Sequence, residues 1–139
     1  MTDDSRGGMA LSTTKSPATG RSNVYPRAHA CSIFKGDTDQ AAAFVPHIVG
    51  GLMRNDRCVY ISDSLQRDDL FDRIASEASV SQEVLETHIT FLSADEVYLK
   101  SGRFEKERML RFIADARDQA LREGFCGLTA TGEMSWASR

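Results

Sequence analysis

The sequence predicts an α/β protein, a mainly parallel sheet with helices on both faces. Short apolar runs of strand length, such as residues 57–62, recur along the chain. Between them lie longer segments with apolar residues at three- and four-residue spacing, the period of a helix with one buried face. Their order, strand, helix, strand, helix, strand, helix, strand, is the one that builds parallel sheets with right-handed crossovers.

Residues 1–23 hold twelve Ser, Thr, Gly or Pro and almost no large apolar side chains. Such a stretch cannot bury enough surface to offset its ordering entropy, so residues 1–27 are expected to be a disordered tail. Residues 29–34 read as a first strand, and Gly36-Asp37 signals a turn and a helix start. The helix expected over 38–54 places Ala42, Val45, Val49, Leu52 and Met53 on one face, with Pro46 inside it as the source of a bend. Asn55-Asp56 closes it. Residues 57–62, with Cys58, Val59, Tyr60 and Ile61, then have the near-continuous apolar character of a strand buried on both faces.

A second helix is expected over 65–76, with Leu70, Phe71 and Ile74 turned inward, and a short helical turn over 81–86. Residues 88–92 are a third strand. Gly102-Arg103-Phe104 leads into a long helix over 105–123, which Gly124 ends in the position favoured for a C-terminal cap. Residues 127–131 form a fourth, small strand. The alternating charges of the long helix, from Glu105 to Glu123, read first as a solvated face with local ion pairs, and second as a docking surface.

At 139 residues, with 41% hydrophobic and 27% charged, the chain fits one globular domain, taken here as 28–139. No apolar run approaches the roughly 20 residues of a membrane span, and no signal-peptide core is evident, so a cytoplasmic protein with no membrane partner is expected. Its three cysteines cannot all pair with one another and are read as free thiols. Net charge is −3. The basic excess sits in the tail (Arg6, Lys15, Arg21 and Arg27 against Asp3 and Asp4), which leaves the body acidic and disfavours direct nucleic-acid binding.

In open parallel sheets ligands sit beyond the carboxyl ends of the strands. The loops there present Phe34 and Lys35, then Asp63-Ser64, then Ser93 to Glu96 with Tyr98, and last Gly132, Glu133, Met134, Ser135 and Trp136. Each is polar in the way any exposed loop is polar. Trp136 with Met134 is the exception, since an aromatic ring and a thioether past a strand end suit an apolar pocket as well as they suit a core. The first loop, residues 34–40, lacks the Gly-Lys-Ser/Thr that cradles phosphates, and its two aspartates would repel a triphosphate. ATP hydrolysis is therefore disfavoured.

His29 and Cys31 share a strand face, with Cys58 on the next strand, which makes them weak candidates for a metal site. Burial as structural side chains is the stronger reading, because knuckle spacings are absent and cysteine is commonly buried. No nucleophile elbow, dinucleotide fingerprint or zinc-protease motif is present. The residues call for no cofactor and no catalytic group.

Four separated segments, 29–34, 44–62, 98–104 and 124–136, resemble in order the MEDS family, the sensory domain named for methanogens, methylotrophs and the dichloromethane-utilisation regulator. The resemblance implies a RecA- or KaiC-like domain with a degenerate phosphate loop, serving as a sensor of hydrocarbon-like small molecules. It also implies a regulatory protein partner, in transcription or in kinase or sigma-factor control. Such domains normally continue past the position of Arg139 with a helix and a closing strand. Either the chain is shortened or another chain completes the sheet edge, so a homo-oligomer is expected.

The reading is thus a non-enzymatic sensory domain that binds a small apolar molecule through Phe34, Lys35, Tyr98, Glu133, Met134 and Trp136. The alternatives are a residual nucleotide-binding protein, which Lys35 keeps open, and a protein-interaction module without a ligand.

Overall fold

The structure is a computed structural model, and it describes residues 40–138. Within that range three parallel strands form one sheet in the order β2-β1-β3. Helix α1 (Ala41–Met53) leads into β1 (Asp56–Ser62). Then come α2 (Arg67–Ala78), α3 (Gln82–His88) and β2 (Ile89–Ser93), followed by α4 (Ala94–Val97), α5 (Lys106–Arg122), β3 (Gly127–Gly132) and a closing 3-10 turn, Ser135–Ser138. The α/β class and the parallel pairing are as the sequence predicts. The expected tail and the expected strand over 29–34 lie outside the described residues.

β1 occupies the middle because it is the most apolar strand. Cys58 pairs in register with Ile89 on one side and Thr129 on the other, and Tyr60 with Phe91 and Thr131. Its alternating side chains supply two separate cores. Cys58 and Tyr60 join Ile48, Leu70, Phe71, Ile74 and Leu85 under α1, α2 and α3. Val59 and Ile61 join Ala94, Val97 and Tyr98 on the opposite face, where Met109 and Phe112 of α5 pack. Helices thus cover both faces.

Several boundaries differ from the expected ones, each for a local reason. The residue that follows Met53 by two, Asn55, turns with φ 62, and Asp56 is already the first residue of β1, buried rather than part of a loop. α1 continues through Pro46, which is exposed, so its ring meets water rather than packed side chains. α2 begins and ends two residues later than expected, stopped by Ser79 in a left-handed conformation at φ 57. The turn at 81–86 is a full short helix capped by Ser81, which accepts from the Val84 N–H, and it absorbs His88. A further helical turn, α4, replaces the expected loop because Ser93 and Glu96 form a reciprocal capping box.

Candidate functional site

The carboxyl ends of β1 and β3 meet at Glu133, which is 3% exposed. Its backbone N–H continues the ladder past β3, donating to the Ile61 carbonyl at 2.9 Å. Its side chain turns toward the loop that follows β1. The Tyr60 hydroxyl donates to Oε1 at 2.9 Å, and the Leu65 N–H reaches the same oxygen at 3.2 Å. The Ser64 N–H and hydroxyl donate to Oε2 at 2.7 and 2.9 Å, and the Asp63 N–H at 3.1 Å. The Ser62 hydroxyl lies 3.4 Å from Oε1 but gives its proton to the Leu65 carbonyl at 2.5 Å, which braces the same loop.

Three successive backbone N–H groups that point at one anion make a concave cradle of the kind proteins use for phosphates. Here the protein's own carboxylate occupies it. Charge-assisted bonds from neutral donors hold the carboxylate, and in return fix the loop over 63–65. Burial, and then the nearby Glu133 charge, push the Tyr60 phenol far above its ordinary pKa. Tyr60 is therefore a permanent donor. Its ring is held by Phe91, stacked at 5.7 Å, and by Phe44, edge-on at 5.9 Å.

On the other face of the sheet the same strand ends carry three rings. Tyr98 and Trp136 lie 5.1 Å apart between centroids, and Phe104 stacks on Trp136 at 5.5 Å. Tyr98 follows α4 as its C-cap, and its carbonyl accepts from Arg108 of α5 at 3.2 Å. Gly132 makes room for it, since a Cβ there would overlap the Tyr98 hydroxyl and stand 3.3 Å from the Ile61 Cβ. Burial, assisted by Glu133, raises the Tyr98 pKa. The Trp136 indole N–H is buried and has no hydrogen-bond partner among the described residues. Phe104 is 42% exposed, so the outer side of this cluster is apolar and wet, and Met134, two residues before Trp136, is 51% exposed.

Of the expected binding residues, the structure brings Tyr98 and Trp136 into contact and places Glu133 and Met134 on the connection between β3 and the closing turn. Phe34 and Lys35 lie outside the described residues, as do His29 and Cys31. Cys58 lies in the core, where burial and the Asp56 charge push its thiol up to about 12. Among the described residues no three His, Cys, Asp or Glu side chains are placed to hold a metal. Sequence reasoning missed Tyr60, the 63–65 cradle and Phe104. A tyrosine inside an otherwise apolar strand was the available signal for the first, because a buried phenol needs a partner. The cradle is backbone and left no such signal.

This arrangement defines an α/β domain whose strand-end cradle is filled from within and whose neighbouring surface is aromatic. The model of the MEDS family, "MEthanogen/methylotroph, DcmR Sensory domain", matches residues 28–139. The chain belongs to that family, and with it to a class of sensory domains. No curated protein and no solved structure matches the chain. No helix among the described residues is long and apolar enough to cross a membrane.

Proposed function

We propose that the domain works without catalysis, as a cytoplasmic and self-associating sensor. A small, largely apolar molecule meets the strand ends, and the change is passed to a regulatory protein partner. The observation that carries this reading is the ring cluster of Tyr98, Phe104 and Trp136, with exposed Met134 nearby in the chain. Apolar side chains on that surface gain from being covered, at about 25 cal/mol for each Å² removed from water. Sensory function in the family supports the same reading at a coarser level.

Glu133 enters as the part that transmits. It ties the strand end beneath the rings to the loop over 63–65, so a shift of residues 133–136 must move that loop or break its bonds. Trp136 is the chain's one tryptophan, which makes emission a direct assay. Titration with small apolar and halogenated compounds should shift and saturate the emission, and Met134→Ala should weaken the response while leaving the fold intact. If one compound binds by calorimetry and the emission stays unmoved, the site is not at the strand ends.

A further inference from the structure

A second apolar space lies away from the strand ends, between α5 and the sheet. α5 packs chiefly on β3 and β1, so β2 sits at the margin of its cover. There the helix presents Phe112, Ala116 and Ala120, one stripe at four-residue spacing, toward Val59, Leu92 and Leu128 of the three strands. The two alanines are too short to fill the gap. A cavity of about 130 Å³ remains, open to solvent on one side.

Its rim is polar but already committed. Arg57 donates from Nε to the Thr90 hydroxyl at 3.2 Å and from Nη1 to the Thr87 carbonyl at 3.0 Å. The same Nη1 stands 3.4 Å from Glu123, and the guanidinium lies over the Phe125 ring at 5.3 Å. Gln119 donates to the other Glu123 oxygen at 2.7 Å and accepts from Arg122 at 2.8 Å. With these groups satisfied by one another, an entering polar molecule would lose its water bonds and find few replacements. Leu92, Phe112, Ala116 and Leu128 are only partly buried, so an apolar molecule would cover them.

We propose that this space is a binding site for a compact, uncharged, apolar molecule of about six non-hydrogen atoms, since its volume approaches that of a cavity able to hold benzene and its floor is apolar, although its polar rim opens to solvent. It is independent of the strand-end site. Binding there would wedge α5 against the sheet beside the Arg57 and Glu123 pair that joins β1 to the end of that helix.

The test is a titration of the full chain with benzene, followed by the methyl resonances of Val59, Leu92 and Leu128 and, in parallel, by Trp136 emission. Saturable shifts at those methyls are expected. Ala116→Leu, which fills the space, should weaken them at least about tenfold. Should that variant fail to fold by circular dichroism, Leu128→Ala serves instead, because the wider cavity should favour ethylbenzene over benzene relative to the parent. The proposal falls if no methyl shifts, if shifts are confined to Met134 and Trp136, or if the wider cavity leaves the preference unchanged. It falls equally if the methyls respond to protein concentration and not to benzene, which would mean that a second copy covers the cavity.

Discussion

The two ends of β1 and β3 are each joined by a buried carboxylate, and the two joints are built differently. Glu133 at the carboxyl end draws five donors from neutral groups and leaves neither oxygen open. Asp56 at the amino end uses one oxygen, which accepts from the Thr129 hydroxyl at 2.8 Å and from Arg54 Nε at 3.2 Å. Its other oxygen, Oδ1, is buried without a hydrogen-bond partner among the described residues. Arg54 also donates to Thr129 at 3.1 Å and is itself 36% exposed. The carboxyl end is therefore held by geometry and backbone, and the amino end by a partly solvated ion pair. Exposure of Arg54 weakens that pair through screening and side-chain entropy. The joint beneath the ring cluster is the stronger of the two.

That ranking can be broken by substitution at Glu133. Glu133→Gln keeps the shape but replaces one acceptor oxygen by an NH₂ group, which then faces N–H and O–H donors. Stranded buried donors cost about 1–3 kcal/mol each, and partial relaxation leaves an expected loss of about 3 kcal/mol. Denaturant unfolding measures it directly. A loss below that of Asp56→Asn would reverse the ranking.

Glycines test the packing on either side of the same joints. Gly132 accommodates Tyr98 at the carboxyl end. Gly51 of α1 does the corresponding work at the amino end, where a Cβ would stand 2.7 Å from the Thr129 hydroxyl and 2.9 Å from the Cys58 sulfur. Either glycine changed to alanine should cost about 2 kcal/mol, the range for overpacking a filled core. Tyr98→Phe removes the atom that the new Cβ meets at 132, so it should restore part of the loss in the Gly132→Ala background. No such relief is expected from it at Gly51. Thermal melts of the two pairs separate these cases.

Asp56→Asn should be milder, about 1 kcal/mol, because Arg54 can turn to water when its partner loses charge.

How much of this was legible in the sequence follows the same division. Periodicity located β1 and α5 to within a residue or two, since burial leaves a pattern that no neighbour can erase. The carboxyl-end aromatics were legible too, as unusual residue types past a strand end, and Tyr98 and Trp136 do meet. Glu133 was expected to face a ligand, and the structure turns it toward the loop after β1. That partner is a run of backbone N–H groups, which every sequence possesses, so nothing in residues 63–65 announces it. Asp56 was read as a helix stop because Asn-Asp is a common turn pair. Its burial depends on Thr129, 73 residues away, and a contact of that separation has no local signature.

Tyr60→Phe gives the smallest effect and the finest test of the comparison. It removes one of the donors to Glu133 and keeps the ring between Phe91 and Phe44, so the core loses no volume. Because the carboxylate retains the Asp63, Ser64 and Leu65 N–H groups, the expected cost is that of a single hydrogen bond, about 1 kcal/mol. Combining Tyr60→Phe with Glu133→Gln in a double-mutant cycle tests whether that bond accounts for the whole effect. With the acceptor already changed, losing the phenol should cost almost nothing, and the coupling should equal nearly the whole single-mutant effect. If the two losses simply add, the phenol stabilises the core through something other than Glu133. The carboxyl-end joint would then rest on the 63–65 backbone and the Ser64 hydroxyl, which would bring it closer in kind to the sparse joint at Asp56.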